Sequence, residues 1–209
     1  MLRSPSAVLL SVVLSAGACA VEDPDIDTAD PEVGTIESAV SSKHICPAGV
    51  PPELAPAADQ GLAFVLHATG VQKYTCASGA TGFTWTFVAP EADLFTRHGC
   101  QVGTHYAGPT WEYQDGSTVV GVRAAGASPD ATSIPWLLLT AASHGPDEGK
   151  MTQVTSIQRL STTGGLAPAT GCDADHAGAA ADVPYTADYF FYRTKTRHPE
   201  HNLRCGAGG

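Results

Sequence analysis

Phe83-Thr84-Trp85-Thr86-Phe87 alternates aromatic residues with β-branched threonine at a strict period of two. That is the pattern of a β-strand with two distinct faces. Further along, Trp111-Glu112-Tyr113 and Thr118-Val119-Val120 flank Gln114-Asp115-Gly116-Ser117. The Asp-Gly dipeptide there predicts a tight hairpin. Working outward, residues 71–76, 118–123, 134–140, 151–160 and 183–193 read as further strands, separated by Gly, Pro and Asp. Amphipathic helical spacing is nearly absent, and only residues 51–66 and 90–95 have room for a helical turn or two. The expectation is a mainly β fold with little helix, a single β-sandwich or barrel-like domain. Ile134-Pro135-Trp136-Leu137-Leu138-Leu139 is continuously apolar, which predicts a strand covered on both faces. No fixed-period repeat is visible, which argues against a propeller or solenoid.

The N-terminus is different in kind. Arg3, then the apolar run Ala7–Leu14, then small residues at Ser15, Ala16, Gly17 and Ala18 follow the order of a secretory signal. The apolar run is far shorter than the roughly 20 residues of a spanning helix. Residues 1–18 are therefore expected to be a signal peptide. Cys19 follows directly, as in a bacterial lipobox, although Ala16 stands where Leu is usual. Both a lipid-anchored and a freely secreted product fit these residues, so any membrane association would run through a lipid on Cys19. From residue 19 to 45 the chain reads as an acidic, disordered tether. Glu22, Asp23, Asp25, Asp27, Asp30, Glu32 and Glu37 precede the first basic residue, Lys43, and Pro24 and Pro31 interrupt any helix. These seven charges account for most of the net charge of −10. The folded part is close to neutral, which argues against a nucleic-acid partner, whose binding needs a basic face.

Residues 46–205 remain as one β-rich domain of about 160 residues, enough to bury its own core, with 206–209 as a flexible tail. Five cysteines lie in it: Cys46, Cys76, Cys100, Cys172 and Cys205. In an oxidising compartment they should mostly pair. No Cys-x-x-Cys spacing supports a zinc ribbon.

Several segments together carry a resemblance. They are Gly103-Thr104-His105-Tyr106-Ala107-Gly108-Pro109-Thr110-Trp111-Glu112, Asp115-Gly116-Ser117, residues 134–139, Ile157-Gln158-Arg159-Leu160, residues 163–168, Cys172 and residues 183–189. In this order, from about Val50 to Tyr192, the chain resembles domain-of-unknown-function family 3455, found in exported bacterial and fungal proteins. The resemblance implies no established activity. Some fungal members carry a malate dehydrogenase label, which finds no support here. Gly99, Gly103 and Gly108 lack the spacing and the following helix of a dinucleotide-binding turn. The family-like positions of Cys76 and Cys172 imply that these two pair. Cys46 and Cys205 flank the domain and could clasp its ends, leaving Cys100 as an odd thiol or as a partner of unlipidated Cys19.

The densest polar cluster is His105, Trp111, Glu112 and Asp115, around Gly108-Pro109. A His with two carboxylates suits a metal ligand set or acid–base work. The same residues also fit a structural turn with a satisfied, buried His, and Asp115 is accounted for by turn formation. His105 and Glu112 lie on opposite sides of the Gly-Pro turn, so local spacing does not set their separation. Arg159 is a charge inside an otherwise uncharged strand and needs a partner or a ligand, with Asp188 and Glu112 the nearest candidates by type. If there is a pocket, it is expected beside residues 105–115, walled by Trp111 and joined by Arg159. Nucleophilic catalysis lacks a Gly-x-Ser-x-Gly elbow, and Cys100 after His98-Gly99 reads as half of a disulfide. His198, His201 and Cys205 could face one metal, but a tail pinned by a disulfide is simpler. Trp85, Trp111 and Trp136 with Tyr106 and Tyr113 make either a sugar-stacking surface or core.

No metal site or cofactor is assigned. Two functions stay open. One is a cell-envelope or secreted binding or structural module, engaging an unknown ligand or envelope component from the outer membrane, the periplasm or outside the cell. The other is an enzyme of unassigned type, metal-assisted or not, using His105 and Glu112.

Overall fold

The computed structural model describes residues 45–195 and 203–206. The signal-like segment, Cys19, the acidic run to residue 44, His198 and His201 lie outside the described residues. Eight strands follow one another as a meander: β1 (Gln60–Gly79), β2 (Gly82–Phe95), β3 (Gln101–Tyr106), β4 (Thr110–Tyr113), β5 (Thr118–Ala127), β6 (Trp136–Gly145), β7 (Ser156–Gly164) and β8 (Ala180–Thr194). Each pairs antiparallel with the next, and β8 returns to pair with β1 along most of its length. The sheet closes on itself, so every strand has a partner on both sides along part of its length. Of the two architectures expected, the barrel is the one formed.

The predicted hairpin at Gln114–Ser117 joins β4 to β5, with Gly116 at φ 81°. Residues 51–66 do not form a helix beyond one short turn at Pro52–Leu54. From Gln60 onward the same segment is strand, held by β8 on one side and from His67 by β2 on the other. Ladder pairing on both sides outweighs a weak local signal. Residues 90–95 likewise belong to β2 and not to a helix. Pro90 is tolerated there because β3 pairs with β2 only as far as Ala92, so beyond that point β2 has a free side. Residues 151–155 are loop, and β7 begins at Ser156.

Alternation divides the side chains into two cores. Inward lie Leu66, Ala68, Leu94, Trp111, Val119, Leu139, Ile157, Tyr189 and Phe191. Met151 and Val154, from the loop between β6 and β7, join this set and help fill one end of the barrel. Asp115 braces that end: its carboxylate accepts from the Ser117 amide (2.8 Å) and hydroxyl (2.6 Å) and from the Lys150 amide (2.7 Å). Outward, but equally buried, lie Leu160, Phe190 and Tyr192, covered by Leu54 and Cys205. Trp136 and Leu138 pack against this outer cluster, while Leu137 and Leu139 pack against the inner one. The apolar run at 134–139 is thus covered on both faces, as its composition implies.

Two disulfides secure these layers. Cys46–Cys205 clasps the two ends of the β domain over the outer cluster, and Cys76–Cys172 ties β1 to the long connection between β7 and β8. Cys205 is therefore committed to sulfur and is not part of a metal set. Cys100 is disulfide-bonded too, so it is not an odd thiol. The bridges are compatible with an oxidising, exported location. Among the described residues no helix is long and apolar enough to cross a membrane.

Candidate functional site

The strands are unequal in length, and this shapes the site. The β1–β2 hairpin runs well past the short β3 and β4, so the sheet is thin beside residues 87–90. A cavity of about 670 Å³ opens into the barrel there. Its walls are Phe87, Val88, Pro90, Pro109, Trp111, Ile134, Leu137 and Leu139, with Gln72, Tyr74, His105, Arg123, Arg159 and Tyr189 as the polar groups. No Asp or Glu lines it, whereas two arginines do.

His105 is inward on β3, opposite Trp111 on β4. Its Nδ1 lies 2.8 Å from the Thr110 carbonyl, which can only accept, so Nδ1 carries the proton. The imidazole stacks on the Trp111 indole (centroids 4.4 Å apart, planes 12° apart) and meets Tyr189 edge-on at 5.1 Å. Burial is the main cause that pushes its pKa down to about 3, with the charge of Arg159 adding to it and the Thr110 bond opposing. His105 is therefore neutral at physiological pH. It acts as a rigid, hydrogen-bonded wall. Gly121 makes room for its stacking partner, since a Cβ there would stand 3.0 Å from the indole Cζ3.

Glu112 and Asp115 do not join His105. Glu112 is the residue after Trp111, so pleating turns it to the outer face, where it accepts from the Tyr106 hydroxyl at 2.9 Å. Asp115 sits at the braced end, occupied with the turn. No acid–base pair of His105 and Glu112 is assembled. Among the described residues, no three His, Cys, Asp or Glu side chains converge on one point. The tryptophans form no common platform: Trp111 is inside, Trp136 is under the outer cluster, and Trp85 donates to the Thr170 carbonyl.

Arg159 does reach the cavity. It lies inward on β7 between Leu137 of β6 and Tyr189 of β8. Its expected carboxylate partners are turned away: Asp188 faces outward and pairs with His67 at 2.9 Å. Instead, Arg159 Nε (3.1 Å) and Nη2 (2.8 Å) both donate to the Pro135 carbonyl. That carbonyl is held in place by the loop before β6. The Ile134 amide donates to Gly164 O (2.9 Å), and the Thr162 hydroxyl donates to Ile134 O (2.6 Å) across a bulge in β7 where Ser161 takes φ 51°.

Around Arg159 is a ring of groups that sequence inspection passed over: Gln72, Tyr74, Tyr185 and Tyr189. Gln72 Nε2, Trp111 Nε1, Tyr185 OH and Tyr189 OH are buried and complete no hydrogen bond. The Tyr185 hydroxyl approaches Tyr189 and Gln72, and the Tyr189 hydroxyl approaches Arg159, but none of these contacts completes a hydrogen bond by distance and angle. Burial raises the pKa of both phenols and keeps them protonated. A signal existed for Tyr185 and Tyr189, two aromatics of equal parity in one strand segment, but nothing local marks which parity faces the cavity.

Residues 56–193 match a family described as protein of unknown function (DUF3455). The chain belongs to the DUF3455 family. The matched segment contains all eight strands but the last residue of β8, and every cavity-lining residue. No curated protein and no solved structure matches the chain. The DUF3455 barrel must therefore be read from its own chemistry.

Proposed function

We propose that this DUF3455 domain is an exported binding module that takes a small, largely apolar molecule into the open part of its barrel. The observation that carries this reading is the cavity itself. At about 670 Å³, it falls within the roughly 300–1,000 Å³ range of small-molecule pockets and has their composition, apolar walls with a few placed polar groups. A barrel of eight strands has an interior wide enough either to fill with side chains or to hold one small ligand. Here one end is filled and the other is not. The four unpaired polar groups support the same reading, because buried donors without partners are costly in a protein that only has to fold. Export is supported by the signal-like N-terminus and by the disulfides.

The test is a titration of the purified protein with N-phenyl-1-naphthylamine, an uncharged apolar fluorophore. Saturable one-to-one binding is expected, weakened at least ten-fold by Leu137→Trp, which fills the cavity from β6. Non-saturating uptake, or binding indifferent to Leu137→Trp in a variant that unfolds like wild type, would overturn the proposal.

A further inference from the structure

We infer that the molecule bound in the barrel carries a carboxylate, received by Arg159 and the unpaired donors beside it. The inference rests on the binding reading above and names the chemistry of its polar end. Arg159 is half-buried, and its two bonded donors share one neutral acceptor, the Pro135 carbonyl. The ion pairs among the described residues are His67–Asp188, Lys73–Glu91 and His176–Asp173, none of which involves it. The charge of Arg159 acts on Tyr74, His105, Tyr185 and Tyr189, and no acid lines the cavity to balance it. A guanidinium withdrawn from water without a counter-charge is unfavourable, and an anion supplied from outside relieves that cost.

The neighbouring groups fit the same occupant. Gln72 Nε2 and the Tyr189 hydroxyl are donors at the cavity wall whose contacts with Tyr185 and Arg159 fall short of complete hydrogen bonds. With the remaining Arg159 N–H groups they present donors and no competing carboxylate. A planar guanidinium fork matches a carboxylate in two parallel bonds. A phosphate dianion would call for more than one deep cation, and the second arginine, Arg123, is exposed at the rim. Beyond this polar end the walls are apolar, Phe87, Pro90 and Leu139 among them. The structure therefore points to an amphipathic monocarboxylate with an aromatic or aliphatic body.

The experiment compares 4-(1-pyrenyl)butanoic acid with its methyl ester, which share one apolar body and differ in charge. Wild-type protein should bind the acid at least ten-fold more tightly than the ester at pH 7.5. Arg159→Met should bring the two affinities within a factor of about two by weakening only the acid, while Arg97→Gln, at an exposed arginine outside the cavity lining, leaves the preference in place. Equal affinities for acid and ester in wild type would overturn the carboxylate assignment and leave the binding reading intact. Binding of neither would remove both. A preference that survives in folded Arg159→Met would also overturn the assignment. If Arg159→Met does not fold, Tyr189→Phe takes its place and must reduce the preference at least three-fold.

Discussion

Gln158 and Arg159 are consecutive residues of β7, the first pointing out of the barrel and the second into it, and the protein treats their polar groups in opposite ways. Outside, Gln158 Nε2 donates to the carbonyls of Leu54 (2.5 Å) and Cys205 (3.0 Å), and its Oε1 accepts from the Tyr192 hydroxyl (2.6 Å). That hydroxyl in turn accepts from the Cys205 amide at 3.2 Å. The network staples both ends of the domain, at Leu54 and Cys205, to the sheet. Inside, Arg159 has one backbone acceptor, and the Tyr189 hydroxyl beside it completes no hydrogen bond. Each region holds a fully buried tyrosine, Tyr192 outside and Tyr189 inside, so burial alone does not separate architecture from site. Satisfaction of hydrogen bonds does. The outer network is closed on itself, and the inner one offers its free donors to a guest.

The largest expected effect tests the outer region. Replacing Cys46 and Cys205 together by Ser releases a loop of 159 residues. By loop-closure entropy this should cost about 5 kcal/mol. Denaturant unfolding measures it, and pyrenylbutanoate binding by the surviving folded fraction should be unchanged. A loss below about 1 kcal/mol would show that the outer network holds the ends of the domain without the bridge.

A smaller effect belongs to the inner region and depends on pH. The folded-state pKa of His105, about 3, lies below its ordinary value. Between the two, the unfolded chain binds the extra proton, so stability is complete above about pH 6.5 and falls as the pH is lowered. By pH 5, before most carboxylates titrate, the loss should reach about 2 kcal/mol. His105→Gln should flatten the unfolding free energy over that interval. A slope unchanged in His105→Gln would mean that another group carries it.

The finest comparison sets two fully buried tyrosines against each other. Tyr192→Phe leaves Gln158 Oε1 and the Cys205 amide without their partner and should cost about 1–3 kcal/mol. Tyr189→Phe removes a hydroxyl that completes no hydrogen bond with its neighbours Tyr185 and Arg159, and should change the stability of ligand-free protein by less than about 0.5 kcal/mol. Thermal or urea unfolding of the two variants side by side decides. Equal losses would erase the distinction on which the site rests.

Much of the fold is legible locally. The Phe83–Phe87 alternation, the Asp115-Gly116 turn and the apolar run at 134–139 each found their place, because strand pleat and turn dihedrals depend on near neighbours. The site was only partly legible. His105, Trp111 and Arg159 do line one cavity, while Glu112 and Asp115 are drawn off, one by the pleat and the other by the turn it stabilises. The residues from Gln60 to Gly70 gave no strong strand signal, since their strand state comes from pairing with β8, more than a hundred positions away.

The sequence by itself therefore determined the class of the fold, the places of its turns and the residues able to pair as disulfides, all short-range or compositional properties. Only the tertiary structure decided that the sheet closes into a barrel, which parity of each strand faces inward, and that Arg159 has no acid beside it. Those depend on register, and register is set across strands. Bulges at Leu62/Phe64 and Leu160/Thr163 shift the alternation between the two ends of β1 and β7. A guanidinium left without a counter-charge is a property of the space around it, and that space exists only once β8 has come back to β1.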